Sequence, residues 1–232
     1  MSTASPRILM ILTSHARLGD TGRPTGFWAE EFAQPYYRFT DAGAQVTLAS
    51  PAGGPAPVDP GSLKPRGEND PAVERWLGDE ALQKQLAATA RVADLDTRGF
   101  DALFFPGGHG TVFDLPHDAG VTRAVEQAFA SNQLLATVCH GAAALVSAKR
   151  PDGKPVVEGR RVNSFTDSEE AAAGLVHAVP FLLEHRLREL GAHFEGAADW
   201  QPFSIRDGQL ITGQNPQSSV AVAQALLDAL KA

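Results

Sequence analysis

Five apolar residues, Leu134 to Val138, run without a loop into Cys139-His140-Gly141, and the helix-forming stretch Ala142 to Ala148 follows at once. A strand that turns directly into a helix is half of a βαβ unit, so this segment steers the chain toward a parallel sheet covered by helices. Ile8 to Thr13, Gln45 to Ala49 and Phe100 to Phe105 read as further strands, rich in apolar residues and without strict alternation, the pattern of strands buried on both faces. Helical spacing over Phe27 to Ala42 completes a βαβ opening, with a break or kink predicted near Gln34 because Pro35 lacks an N–H. Asp118 to Ser131 reads as an amphipathic helix that turns Val121, Val125 and Phe129 inward. The remaining spacing predicts an edge strand over Val162 to Phe165, a helix over Phe181 to Leu190 and a last short strand over Leu210 to Thr212. A closing helix over Val220 to Leu230 sets Val220, Ala223, Leu227 and Leu230 on one face. The expected fold is α/β: a mostly parallel sheet with helices on both faces, a flavodoxin-like sandwich with a nucleophile elbow.

At 232 residues, one domain spanning 1–232 is expected. Ser50 to Gly67 is rich in proline and glycine and reads as a loop; with a short helix over Asp79 to Ala90 it makes residues 51–99 a surface insertion. Twenty lysines and arginines against 27 acids give a net charge of -7, and no basic run is present to neutralise a phosphate backbone, so nucleic acid is not an expected partner. The apolar run Ile8 to Leu12 is too short for a signal segment or a membrane span, which points to a cytoplasmic protein with no membrane partner.

The chain has one cysteine, which excludes an internal disulfide and a multi-cysteine metal cluster and leaves packing or reactivity as its role. A free cysteine is ordinarily a small buried apolar residue. Here it stands between strand and helix, followed by the small residues Gly141, Ala142, Ala143 and Ala144, where a nucleophile projects from a strained turn. The helix N-terminus and the adjacent His140 are expected to lower the thiol pKa. Pro106-Gly107-Gly108-His109-Gly110 ends the neighbouring strand. By itself this is a glycine turn; beside the elbow, the Gly107 and Gly108 amides with that of His140 are expected to form an oxyanion hole, and His109 to join Gly107 and Gly108 in binding the substrate. His193-Phe194-Glu195 has a His-x-Glu spacing but reads as helix end into strand, and is taken as structural. The other histidines lack ligand spacing, and no catalytic metal is predicted.

The blocks DALFFPGGHGTVFDLP, ATVCHGAAAL, NSFTDSEE and LITGQNPQSS, in that order, resemble the ThiJ/PfpI superfamily of the class I glutamine amidotransferase-like fold. Thr25-Gly26 followed by Glu31 and Pro35, the insertion before Phe100 and the Phe-Thr-Asp block resemble its heat-shock-associated, glutathione-independent glyoxalase III enzymes. The resemblance implies that Cys139 is the nucleophile, His140 its partner, Glu170 the acid beside the histidine and Glu31 the carboxyl group beside the sulfur. Glu30 and Glu169 remain the competing assignments. It implies a small dicarbonyl substrate, methylglyoxal converted to D-lactate through a cysteine hemithioacetal, no cofactor, and a homodimer. A stress-related holdase, a cysteine redox sensor and an amidase or peptidase are the alternatives at the same elbow. Phe27, Trp28, Phe113, Phe165 and Trp200 are either pocket lining or core.

Overall fold

A computed structural model describes residues 5–231. Strands β1 (Arg7–Ile11) and β2 (Gln45–Ser50) flank helix α1 (Ala29–Asp41), giving the expected opening unit. Then come α2 (Pro71–Leu77), α3 (Glu80–Leu86), β3 (Ala90–Arg91) and β4 (Ala102–Phe105). After these, α4 (Thr111–Asp114) and α5 (Ala119–Ala130) lead to β5 (Leu134–Val138). The last third holds β6 (Arg161–Val162), α6 (Asp167–Ala172), α7 (Leu183–Glu189), β7 (His193–Phe194), β8 (Ser204–Asp207), β9 (Leu210–Gly213) and α8 (Ser219–Ala229).

Seven strands form one sheet in the order β3-β2-β1-β4-β5-β9-β8, in which only β8 is antiparallel to its neighbour. The strands are apolar on both faces because each face meets helices. Ile8, Met10, Phe104, Ala136 and Ile211 face the core shared with α1 and α8, whereas Leu9, Ile11, Leu103, Phe105 and Leu135 face the one shared with α5. Each such leucine or isoleucine contributes about 1.5–3 kcal/mol by leaving water, so a register slip would misplace both cores at once.

Four sequence expectations are corrected. Helix α1 runs unbroken through Pro35, whose ring is buried beside Phe32, Tyr36 and Phe39; packing on the sheet holds the helix despite the missing N–H. The predicted edge strand over Val162 to Phe165 is instead β6, paired with β7 outside the main sheet, because the hairpin formed by β8 and β9 already occupies that edge. The buried face of α8 is Val222, Ala223, Leu226 and Leu227, which leaves Val220 at 38% exposure. Finally, residues 51–99 do more than lie on the surface: Val73, Trp76, Leu82 and Leu86 join the α1 core, and β3 pairs with β2.

Candidate active site

The carboxyl ends of β4 and β5 lie side by side, paired through Phe105 and Thr137, so the glycine turn after one faces the cysteine after the other. Cys139 sits at φ 55, in the left-handed region that a side chain occupies only under strain. Small neighbours permit it: a Cβ on Gly141 would lie 2.2 Å from the Phe105 carbonyl oxygen. Beyond the cysteine the chain forms a 3-10 segment, Cys139–Leu145, and not the expected α-helix.

Cys139 is 3% exposed; burial pushes its pKa up, a Glu31 carboxylate beside it pushes further, and the His140 backbone N–H pulls only partly back. The shift is therefore upward, opposite to the lowering expected from a helix end and His140, because burial and Glu31 outweigh the His140 N–H.

Glu31 is the acid beside this sulfur. It stands in the first turn of α1, fully buried, and the Gly107 N–H donates to its Oε2 at 2.7 Å. The Trp28 N–H donates to the Gly107 carbonyl at 3.0 Å, which ties the start of α1 to the same turn. Oε1 accepts no hydrogen bond among the described residues, and Glu31 neighbours the Cys139 sulfur. Burial pushes the Glu31 pKa up to about 8, so at neutral pH it holds its proton. A neutral carboxylic acid does not repel a thiolate but donates to it. At neutral pH both groups hold their protons, and charge reaches the sulfur only when a base takes the thiol proton. The Gly107 amide, expected to bind an oxyanion, is already engaged by this carboxyl group, and a Cβ there would lie 2.5 Å from Oε2.

On the other side of the sulfur, His140 Nδ1 lies 3.4 Å from Sγ and His140 Nε2 lies 2.7 Å from Glu170 Oε2. A proton on Nε2, donated to the carboxylate, leaves the Nδ1 lone pair facing the thiol. Burial lowers the His140 pKa, as does the neighbouring His109, and keeps the ring neutral. Burial also opposes charge on Glu170, yet the two imidazoles outweigh it and hold that carboxyl group well below the usual carboxylate range. The second imidazole is His109, whose Nε2 lies 2.8 Å from Glu170 Oε1.

Helix α6 explains which acid faces inward. Thr166 caps it in a capping box with Glu169, so Glu169 and Glu170 follow each other in the first turn. Glu170 meets the imidazoles; Glu169 is buried elsewhere, accepting from the Trp200 N–H at 2.8 Å, Asn215 Nδ2 at 2.8 Å and Gln214 Nε2 at 3.2 Å. Glu30 is half-buried and influenced by Asp70 and Lys64. Of each adjacent pair, Glu31 and Glu170 are therefore the ones brought to Cys139 and His140.

A cavity of about 270 Å³ opens over the sulfur, walled by Trp28, Phe165 and Trp200 and reached by Arg23. Phe27 instead packs against Phe32 and Trp76, and Phe113 stacks on His15. His109, His140 and Glu170 bring donor atoms within 4.8 Å of one another, the one group among the described residues with the geometry to hold a metal. In the structure each oxygen of the Glu170 carboxylate faces one imidazole Nε2. His193 and Glu195 lie apart from the site: His193 is in β7, and Glu195 pairs with Arg161.

The sequence and the fold recur in known proteins. The DJ-1/PfpI family model matches residues 24–229. The chain belongs to the DJ-1/PfpI family. A glutathione-independent glyoxalase of Schizosaccharomyces pombe is 31% identical, covering 95% of this chain and 94% of its own. The crystal structure of glyoxalase III from Candida albicans superposes with a TM-score of 0.86 at 26% identity over 97% of both chains. A rapid encystment protein of Francisella tularensis superposes at 0.92 with 34% identity, over 97% of this chain and 99% of that one. Among DJ-1/PfpI members, then, full-length likeness extends to relatives named glyoxalases.

The bond between His109 and Glu170 was not foreseen: His109 is expected to bind substrate, and its Nε2 meets Glu170 instead. The bond joins residues 61 positions apart, and the only local signal was a histidine beside glycines. No helix among the described residues is long and apolar enough to cross a membrane.

Proposed function

We propose that this chain is a glutathione-independent glyoxalase that converts methylglyoxal to D-lactate. One observation carries the reading: the sulfur of Cys139 stands between a buried, protonated carboxylic acid and an imidazole-carboxylate pair, at the floor of a small cavity. Such a site suits a reaction that needs a nucleophile and repeated proton transfers at adjacent carbons. Full-length relatives named glyoxalases support it.

In this reading His140 Nδ1 takes the thiol proton, the thiolate attacks the aldehyde carbon, and the proton passes from His140 to the resulting alkoxide, giving a hemithioacetal and a neutral imidazole. The alkoxide meets the amides of Gly108 and His140 at the cavity wall. Removal of the hydrogen on that carbon yields an enediolate, and return of a proton to the neighbouring carbon yields a lactoyl thioester. Glu31 is placed to shuttle this proton, because a pKa near 8 lets it both give and take near neutrality. Water, deprotonated by His140 while Glu170 orients the ring, then cleaves the thioester and releases lactate and free thiol. The balance is one methylglyoxal and one water consumed per lactate formed, with no net oxidation. A reduced thiol is required throughout, which fits a cytoplasmic location.

The test is D-lactate formation from methylglyoxal without glutathione. Wild type should produce it and Cys139→Ala should not; absence of product from wild type, or equal product from the variant, refutes the reading.

A further inference from the structure

The proposed chemistry uses one histidine, yet the site contains two. His109 is buried, its ring centroid is 4.2 Å from that of His140, and the two rings sit on opposite oxygens of one carboxylate. A carboxylate with a single partner rotates about its Cγ–Cδ bond. Two donors at fixed positions lock its plane.

Both donors are fixed here. The Thr111 hydroxyl lies 2.8 Å from the Gly108 carbonyl and 2.8 Å from the His140 carbonyl, so the turn that carries His109 is tied to the elbow that carries His140. Gly108, at φ 103, makes that turn; a Cβ there would lie 2.4 Å from the Gly26 carbonyl oxygen. Glu170 itself enters on the capped helix α6. Three elements therefore converge on two hydrogen bonds, and the geometry of the second bears on the first.

We infer that His109 is a positioning residue, the fourth member of a Cys139–His140–Glu170–His109 array, which acts through Glu170 to hold His140 Nδ1 toward the sulfur. Its Nε2–H on Oε1 prevents the carboxylate from turning, and that keeps Oε2 in line with the His140 Nε2–H. Loss of the donor leaves Oε1 buried without a partner, so Glu170 turns or takes a proton, and His140 loses both its orientation and its counter-charge.

The inference rests on the proposed use of Cys139 as nucleophile, but its test does not depend on the substrate. Three substitutions separate the N–H from the ring. His109→Gln places an amide N–H near the Nε2 position, His109→Asn carries the same amide too short to reach Glu170, and His109→Phe keeps the ring shape without a donor. Two readouts are compared: kcat and KM for methylglyoxal, and the rate at which iodoacetamide alkylates the chain's single cysteine. For Asn and Phe, kcat and the alkylation rate should fall on the order of tenfold to a hundredfold, as when a residue orienting a catalytic ligand is lost, with KM nearly unchanged. His109→Gln should recover most of that loss. Equal behaviour of Gln and Asn overturns the inference, and so does a rise in KM with kcat intact, which would make His109 a substrate contact. Should Phe fail to fold, the Gln and Asn pair decides alone. Should wild type form no lactate, the glyoxalase reading fails while the alkylation rates still decide the role of His109.

Discussion

Replacing Glu31 by glutamine should make the protein more stable and less active, with a pH dependence that identifies the cause. Burial raises the Glu31 pKa from 4.5 to about 8 in the folded chain. The folded state thus binds a proton more tightly than the unfolded state, and the stability it contributes is fully present below pH 4.5 and is lost as pH rises toward 8. Each pH unit in that window costs about 1.4 kcal/mol, so wild type at pH 7 forgoes about 3 kcal/mol relative to its acid form. Glutamine is neutral at every pH, keeps an oxygen for the Gly107 N–H and offers an N–H to the sulfur. Paired equilibrium denaturation of wild type and Glu31→Gln at pH 5, 6, 7 and 8 should show an advantage for the variant that grows with pH and levels off near 8. Turnover, deprived of its proton carrier, should fall on the order of 10²–10⁴-fold. A stability difference that stays flat with pH, or a variant that turns over like wild type, would refute the reasoning.

The same groups shape the pH profile. kcat/KM should be bell-shaped, with an acid limb below 6.5 because burial lowers the His140 pKa, and a basic limb near 8 where Glu31 loses its proton. In Glu31→Gln the residual activity should lack the basic limb. Gly108→Ala puts a side chain at φ 103 and against the Gly26 carbonyl, so it should cost at least about 1–3 kcal/mol by denaturation and slow alkylation of Cys139; a neutral substitution would contradict the turn's role.

How much of this was legible depended on whether the determining contacts were local. The strand-elbow pattern at Cys139 and the two-faced apolar strands are chain-local signals, and β1, β2, β4 and β5 lie where the runs predict them. Strand β8 was missed although Asp207-Gly208 is a hairpin signal, with Gly208 at φ 61, because half-buried Ser204 and exposed Arg206 interrupt any apolar run. The continuity of α1 through Pro35 is decided by tertiary packing, which no local rule sees. In the site, the resemblance pointed to Glu31 and Glu170, and the structure explains why their neighbours do not take those places: Glu30 is half-buried and away from the sulfur, and Glu169 serves the Trp200, Gln214 and Asn215 network. The direction of the thiol shift was read wrongly because a sequence shows a turn but not how far water is excluded from it.

The central claim is that carbon chemistry takes place on the sulfur of Cys139. Its most direct test is rapid acid quenching during turnover, followed by peptide mass analysis of a chain with a single cysteine. An added methylglyoxal mass should appear on the Cys139 peptide within the first turnovers, be lost when substrate is exhausted and be missing in Cys139→Ala. Lactate formed with no adduct on that peptide, or adducts only on lysine and arginine peptides, would contradict it.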